Sequence, residues 1–434
     1  MKNLLFVTSY VPPRPGIATN RCSQLLQRLP ELGWDVVTVT TAFPGRGSDD
    51  PAIIQTRQLD LKGALRRLMG VGDRSTQEAL AVADAVSGTR VMAKRIVNFA
   101  YAVTAYPDPE IGWLPYGTAA VKRLVKKNRF DVVLSSSLPV TSHFIVALSA
   151  ARRLPWVADL RDLWSQNHYL VTSRARATVD RFLERLTLKN ASALTTVSQP
   201  LANKLMELFP TKPIYSVPNA FDEDDWRDIQ FGRENRCTIV YTGQFTEGRR
   251  DPRLLFSAIS DLVALGSIDS RSLAVDLYTT PYAWLRRMIA HYGLADIVHL
   301  KGVLPRREVM AAQRRADALL VALWDHPAEE GVYTGKLFEY IGSERPILAF
   351  GGPQKSVVED LLVETGYGWR CRDFASIRCI LLKIIGMHKQ GIHKRLDLAK
   401  ARHFSSQAMA QKFSAILEMA VRHQFDNHRP TSPA

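Results

Sequence analysis

Cysteine is scarce in this chain, and its four copies make no pattern. Cys22, Cys237, Cys371 and Cys379 form no CxxC pair, and no His, Cys or Asp cluster has metal-ligand spacing. That argues against a disulfide framework and a zinc-type centre, and suits small buried thiols in a reducing compartment. Long apolar runs are missing too: none approaches the ~18 residues needed to cross a bilayer. The N-terminal Lys2-Asn-Leu-Leu-Phe-Val-Thr8 is short and lacks a cleavage-type ending. It reads as a first strand, not a targeting signal, and a cytoplasmic location is expected. Negative charge is in deficit, with 42 Asp and Glu against 57 Lys and Arg, for a formal net charge of +15. Such an excess points to nucleic acid, an anionic membrane face or a phosphorylated substrate. No RNA-binding sheet signature or recognition-helix pattern is present, so nucleic acid is not an expected partner.

What is present is an alternation of strand and helix patterns along 434 residues that are 46% hydrophobic. The length suits two domains of roughly 200 residues each. The alternation predicts α/β layers with doubly wound parallel sheets. Strands are expected at 4–9, 35–40, 131–136, 156–159, 193–197 and 214–217, then at 238–243, 274–278, 297–300, 318–323 and 346–350. Helices are expected at 17–32 and 140–153 in the first half. The stretch 59–130 breaks the rhythm as a basic, helical insert. Residues 217–222 read as a hinge, which gives a first domain over 1–217 and a second over 218–404. A last helix over 405–425 is expected to cross back to the first domain, with a disordered tail at 426–434. Two such domains facing each other would bind ligands in the cleft between them.

The most informative segment is Gly331-Val-Tyr-Thr334-Gly335-Lys336-Leu-Phe-Glu339, followed by the apolar run 346–350. A glycine-rich turn feeding a helix N-terminus presents unpaired N–H groups and a positive dipole, which suits an anion. Lys336 adds a point charge, and Glu339, one turn on, can accept hydrogen bonds from sugar hydroxyls. Diphosphate plus ribose fits that description. A second loop, Gly243-Gln-Phe-Thr-Glu-Gly248-Arg249-Arg250-Asp251-Pro252, follows a strand and precedes a helix. Its two arginines can clamp phosphate oxygens there, or simply be solvated, whereas Asp251 reads best as an N-cap. Asp159-Leu-Arg161-Asp162 ends a first-domain strand. Asp162 is the candidate to orient or deprotonate a hydroxyl acceptor; an Asp–Arg pair closing the strand is the plainer alternative. His143 and His168 are lone histidines and read as structural first.

These residues, in this order, resemble the GT-B glycosyltransferases, specifically the large retaining family called family 4. The resemblance runs over nearly the whole chain: Tyr10 to Gly16, Thr196-Val-Ser198, Val217-Pro-Asn-Ala-Phe-Asp222, Tyr241-Thr-Gly243 and Gly335-Lys-Leu-Phe-Glu-Tyr340 with Arg345-Pro346. Tyr106-Pro-Asp108-Pro and Val157-Ala-Asp159-Leu-Arg161-Asp162-Leu-Trp164 look like a bacterial subgroup that builds surface polysaccharide. The resemblance implies two facing Rossmann-like domains and a metal-independent site without cofactor, its donor a nucleoside-diphosphate sugar. Glu339 would hold the ribose. Arg249 or Arg250 with Lys336 would hold the diphosphate, beside Gly243, Thr334 and Gly335. Gly302 and Val303 would lie close to the nucleobase, and Gly16 would let its loop approach the donor phosphates or the acceptor, where a side chain would collide. Many members carry two glutamates separated by seven residues, the first touching the transferred sugar; eight before Glu339 stands Gly331, with Glu329 and Glu330 just upstream, so Glu330, by a one-residue shift, or the 331–334 backbone would take that role. Where members often carry arginine after the first glycine, Gln244 stands here.

The implied reaction is retaining transfer of a sugar to a hydroxyl acceptor, with a polyprenyl-diphosphate-linked glycan as the hypothesised acceptor. The basic insert carries Lys62, Arg66, Arg67, Arg74, Arg90, Lys94, Arg95, Lys122, Arg123, Lys126, Lys127 and Arg129 among apolar residues. It would place the chain peripherally on the inner membrane face, or else pack as an ordinary amphipathic helix. Two rival readings are a nucleotide-sugar epimerase on the same architecture and a non-catalytic subunit that binds nucleotide sugar.

Overall fold

The computed structural model describes residues 1–12, 14, 16–42, 50–61, 63–64, 105–170 and 173–427. They separate into two compact units. One comprises Met1–Thr196, Lys204–Tyr215 and the chain from Phe413 on; the other comprises Val197–Asn203 and Ser216–Lys412.

The first unit is built on strands β1 (Lys2–Val7), β2 (Trp34–Thr41), β3 (Ile53–Thr56), β4 (Val132–Ser137), β5 (Trp156–Leu160), β6 (Ala193–Thr196) and β7 (Ile214–Ser216), in sheet order β3-β2-β1-β4-β5-β6-β7. Pairs β1–β2, β1–β4, β2–β3, β4–β5 and β5–β6 are parallel. Chain order reverses between β1 and β4, the place where open α/β sheets leave a crevice at their carboxyl ends. The helices are α1 (Ile17–Arg28), α2 (Leu114–Lys127), α3 (Thr141–Ala147) and α4 (Arg174–Leu188), and α5 (Gln199–Leu208) straddles the division of the chain. Strand β4 is buried on both faces, as a central parallel strand must be.

The second unit carries β8 (Cys237–Thr242), β9 (Leu273–Tyr278), β10 (Val298–Leu300), β11 (Ala318–Leu323), β12 (Ile347–Gly351) and β13 (Gly368–Cys371), in order β10-β9-β8-β11-β12-β13 and parallel throughout. Its helices are α6 (Arg253–Ala264), α7 (Ala283–His291), α8 (Arg306–Arg315), α9 (Gly335–Gly342), α10 (Val357–Thr365) and α11 (Phe374–Lys389); α12 (Ser406–Asn427) straddles the division of the chain. Strand alternation sends Ile239, Leu320 and Leu348 to one face, against Leu255 and Ile259 of α6 and Leu381 of α11. Val240, Leu319 and Ile347 face the other way, toward Leu337 and Ile341 of α9 and Leu361 of α10. Each unit is thus an open parallel sheet with flanking helices, the doubly wound α/β layer that the alternation predicts.

Several expected boundaries move. The first helix stops at Arg28, because Pro30 cannot continue an α-helix; Pro30–Leu32 forms one 3-10 turn, and Gly33, at φ 87°, ends it. The expected 140–153 helix is two pieces, Thr141–Ala147 and the 3-10 turn Ala150–Arg153. Strands β3 and β13, four residues each, were not expected. Of the basic insert, Lys62, Arg66, Arg67, Arg74, Arg90, Lys94 and Arg95 lie outside the described residues, whereas Lys122, Arg123, Lys126 and Lys127 are exposed on α2, whose Ala120 and Val121 are buried. The tail from 428 also lies outside. Among the described residues no helix is long and apolar enough to cross a membrane.

Cys22, Cys237 and Cys371 are buried and Cys379 is exposed. Burial pushes the Cys371 thiol up to about 11, and those of Cys22 and Cys237 up as well. These three are poor nucleophiles.

Asp159, at the end of β5, is fully buried. Its carboxylate accepts from Arg21 Nε (3.1 Å) and Nη2 (2.9 Å), Ser136 Oγ (2.8 Å) and Thr195 Oγ1 (2.8 Å). Burial alone would raise its pKa, but Arg21, Arg161 and the Thr195 hydroxyl together outweigh burial and hold it below the usual carboxylate range. Arg161 does not pair with it across the strand end as the sequence alternative had it; its guanidinium donates to the carbonyls of Ser137 and Leu138. Asp159 therefore staples α1 to β4, β5 and β6. Asp159→Ala takes its bidentate carboxylate from the buried Arg21 guanidinium, and should cost about 3–5 kcal/mol in urea denaturation. A loss under about 1 kcal/mol, in the range of exposed ion pairs, would refute this role.

Candidate functional site

The residues that carry the expected anion chemistry gather at the carboxyl ends of β8 and β11 and at the start of α9, all within the second unit. Helix α9 begins at Gly335 with Thr334 as its cap residue. Thr334 is buried and its Oγ1 has no hydrogen-bond partner among the described residues. The N–H of Leu337 is satisfied by the Thr334 carbonyl at 3.0 Å. Those of Gly335 and Lys336 have no protein acceptor among the described residues, as expected of a helix's first turn.

Lys336 projects from that turn onto Tyr241 of β8, its Nζ 3.8 Å from the ring centroid. A desolvated cation–π contact is worth about 2 kcal/mol, well short of the cost of taking an ammonium out of water. Among the described residues no carboxylate forms an ion pair with it. Burial first, and the nearby Arg250 guanidinium second, push its pKa down to about 7 against an opposing pull from Glu339. The site thus holds a lysine whose ammonium is easily lost, with no counterion among the described residues. Gly243 sits against it: a Cβ there would lie 3.0 Å from Nζ, and the residue's φ of 114° is one that L side chains rarely adopt.

Glu339 stands one turn further along α9. Gln313 Nε2, on α8, donates to Glu339 Oε1 at 2.6 Å and to Thr242 Oγ1 at 3.1 Å. Thr242 in turn donates its N–H to the Tyr340 hydroxyl at 2.9 Å. Glu339 Oε2 lies 3.9 Å from Arg306 Nε, whose Nη2 pairs with Asp225 at 2.7 Å. One carboxylate oxygen is therefore fixed from behind, and the other has no donor within hydrogen-bonding distance among the described residues. Such an acid can accept from a ligand hydroxyl.

The two arginines go different ways. Arg250 Nη2 donates to Glu329 Oε2 at 2.5 Å, so this cation is held by a buried carboxylate. Arg249 lies over the Trp324 ring at 4.6 Å, and Trp324 stacks on His326 at 4.5 Å. Arg250, rather than Arg249, is the guanidinium whose charge reaches Lys336. The loop is a tight hairpin, Thr246 N–H donating to the Arg250 carbonyl at 3.0 Å. Asp251 accepts from Gly248 N–H (2.8 Å) and Arg253 N–H (3.1 Å), and Pro252 holds the cap position one residue later than expected.

Position 331 is tightly packed. A Cβ on Gly331 would meet Ser198 Oγ at 2.9 Å, Leu201 at 3.1 Å and Pro200 at 3.1 Å, and Ser198 donates to the Gly331 carbonyl at 2.6 Å. A glutamate at 331 would have to displace Ser198, Pro200 and Leu201. Glu329 is committed to Arg250, and Glu330 is half-buried with no side-chain partner among the described residues. Gln244, in the place of an arginine, accepts from Tyr282 OH at 2.9 Å and donates to Thr280 at 3.0 Å. Gly302 turns the chain after β10 at φ 76°, and Val303 beside it is 72% exposed.

Three candidates belong to the first unit. Asp162 is exposed, with no side-chain partner among the described residues. Gly16 caps α1 at φ 132°, and a Cβ there would meet nothing within 4 Å, so backbone conformation rather than a protein neighbour calls for glycine. His143 is fully buried and bonded through Nδ1 to Ser135 Oγ at 2.7 Å; burial pushes its pKa down to about 4. Sequence reasoning missed Gln313, Thr242, Arg306, Trp324 and Glu329. A glutamate next to the expected Glu330 was the one visible signal; the others carry no motif.

Comparisons with known proteins agree on the frame. Residues 18–220 match the family described as the glycosyl transferase 4-like domain. No curated protein matches the sequence. Among solved structures, a sucrose-phosphate synthase from Thermosynechococcus elongatus superimposes with TM-score 0.63 at 12% identity, covering 98% of this chain and 100% of its own. A glycosyltransferase from Rickettsia africae gives 0.63 at 11%, covering 97% and 98%. A lipopolysaccharide outer core galactosyltransferase gives 0.55 at 10%, covering 97% and 99%. At such identities these likenesses establish the fold. Residues 243–339 lie outside the stretch the family match covers.

Lys336 supplies a test independent of any reaction. Its ammonium is present below about pH 7 and lost above, and a bound anion raises its pKa. Binding of a nucleoside diphosphate should therefore weaken as pH rises from 6 to 8.5 and take up a proton above pH 7. Calorimetric titration in buffers of different ionisation enthalpy measures this, and Lys336→Met should remove the proton uptake. Pyrophosphate-type binding with no proton linkage would show that Lys336 does not face the anion.

Proposed function

We propose, from the match of residues 18–220 to the glycosyl transferase 4-like domain and the likeness in fold to solved glycosyltransferases, that this chain is a retaining glycosyltransferase using a nucleoside-diphosphate sugar. The observation that carries the reading is the pairing on α9 of an uncompensated Lys336 with a carboxylate, Glu339, fixed by Gln313. In this reading the donor's diphosphate lies over the first turn of α9, on the free N–H groups of Gly335 and Lys336, the Lys336 ammonium and Arg250. The ribose hydroxyls donate to Glu339, and the nucleobase lies by Gly302 and Val303.

Retaining transfer without an enzymic nucleophile places departure and attack on one face of the sugar. The charge that grows in the transition state is then on the leaving diphosphate. A lysine beside an arginine and two oriented N–H groups, already desolvated, stabilises that charge without reorganising. Cationic side chains stand in for a divalent metal in this scheme. Glu330, half-buried and unpartnered, is the carboxylate available to a sugar hydroxyl, and Arg249, stacked on Trp324, adds a second cation to the loop. On the first unit, Asp162 is the exposed carboxylate available to a hydroxyl acceptor. The net charge of +15 favours an acceptor that is itself anionic, such as a polyprenyl-diphosphate-linked glycan of surface polysaccharide assembly on the inner membrane face.

Melting-temperature screening against UDP, GDP and ADP and their sugars identifies the donor, because a ligand of the native state raises the transition. With that donor, Lys336→Met and Glu339→Ala should each lower kcat/KM by roughly 100-fold or more at unchanged fold. Near-normal turnover in either variant contradicts the reading. Conversion of the donor sugar without any acceptor would instead identify an epimerase, and donor binding without turnover a non-catalytic subunit.

A further inference from the structure

Helix α4 of the first unit is built the wrong way round for a soluble surface. The four residues it buries are Asp180, Glu184, Thr187 and Leu188, three of them polar. Asp180 accepts from the Tyr106 hydroxyl at 2.6 Å and lies 3.6 Å from Arg176 Nε; Glu184 accepts from the Ser165 N–H at 3.0 Å. The opposite side displays Val179 (48% exposed), Phe182 (64%) and Leu186 (47%), at i, i+3 and i+7 along one stripe. Leu170, just before the helix, is 47% exposed as well. Arg174, Arg181, Arg185 and Lys189 line one edge of that stripe, all exposed, and both acids of the helix are turned inward. A solvent-facing helix normally shows the reverse pattern.

We propose that this outward face of α4 docks the protein on an anionic lipid bilayer. An apolar stripe edged by cations is the pattern of a helix lying in the membrane interface: aromatic and aliphatic side chains enter the acyl boundary while guanidiniums meet lipid phosphates. A second copy of the chain is a poor occupant, because a self-complementary contact would bring four cations of one edge against the same four. The inward polar contacts, Tyr106 to Asp180 and Ser165 to Glu184, fix which face turns outward. The proposal concerns attachment alone and stands apart from the transfer reaction, so its test needs no substrate.

The experiment is co-sedimentation of the full chain with phosphatidylglycerol-containing vesicles and with purely zwitterionic ones. Phe182→Ser/Leu186→Ser and Arg181→Glu/Arg185→Glu change only exposed positions and should keep the wild-type melting temperature. Wild type is expected to bind the anionic vesicles, and each double variant to partition roughly tenfold less or worse. Phe182→Trp should show a blue-shifted emission with anionic vesicles only. Three results would overturn the proposal: wild type that does not sediment, α4 variants that sediment like wild type because the basic residues near 62–95 carry the binding, or variants that turn a dimer into a monomer, which would make a second copy the occupant.

Discussion

One amide orders the α9 site of this molecule. Gln313 Nε2 reaches both Thr242, at the end of β8, and Glu339, on α9. Gln313 stands on α8 and so ties the carboxyl end of β8 to α9, which packs with α10 on one face of the sheet while α6 covers the other. Without it Glu339 would be a half-exposed acid free to rotate. With it, one oxygen is spent on the protein and the other keeps a defined direction, the kind of preorganisation a binding carboxylate needs.

Around that fixed acid the protein leaves other groups unsatisfied. Lys336 has an aromatic face and no counterion, Thr334 Oγ1 is buried without a partner, and two N–H groups of α9 have no acceptor among the described residues. Interiors normally satisfy such groups. Their concentration within a few residues contrasts with the first unit's Asp159, whose oxygens are amply supplied with donors. Asp159 is fully buried and closed by its own chain, whereas Lys336 is half-buried and has no counterion among the described residues.

Much of the frame was legible from sequence because central parallel strands are buried on both faces and so read as apolar runs; β4, β8 and β11 fell within a residue of expectation. Ile53–Thr56 and Gly368–Cys371 escaped because edge strands of four residues need no such run. The α9 turn was legible for a local reason, since glycine, lysine and glutamate at helical spacing must share a helix end. Partners were not legible. Nothing in the order Glu329-Glu330 says that the first closes on Arg250 across 79 positions, nor that Gly331 is required by Ser198, Pro200 and Leu201. The basic insert drew attention for its charge, whereas α4 hides its anomaly in which face is turned inward, and charge counts along a sequence do not reveal that.

The distribution of thiols makes the protein convenient to instrument. With Cys22, Cys237 and Cys371 enclosed and raised in pKa, Cys379 on α11 is the one sulfhydryl open to reagents. A maleimide dye on the unaltered chain would go to a single position, on a helix whose Leu381 packs on the sheet face opposite the one that α9 covers. Fluorescence or distance measurements could then follow the chain in its native sequence, with no cysteine removed and none added.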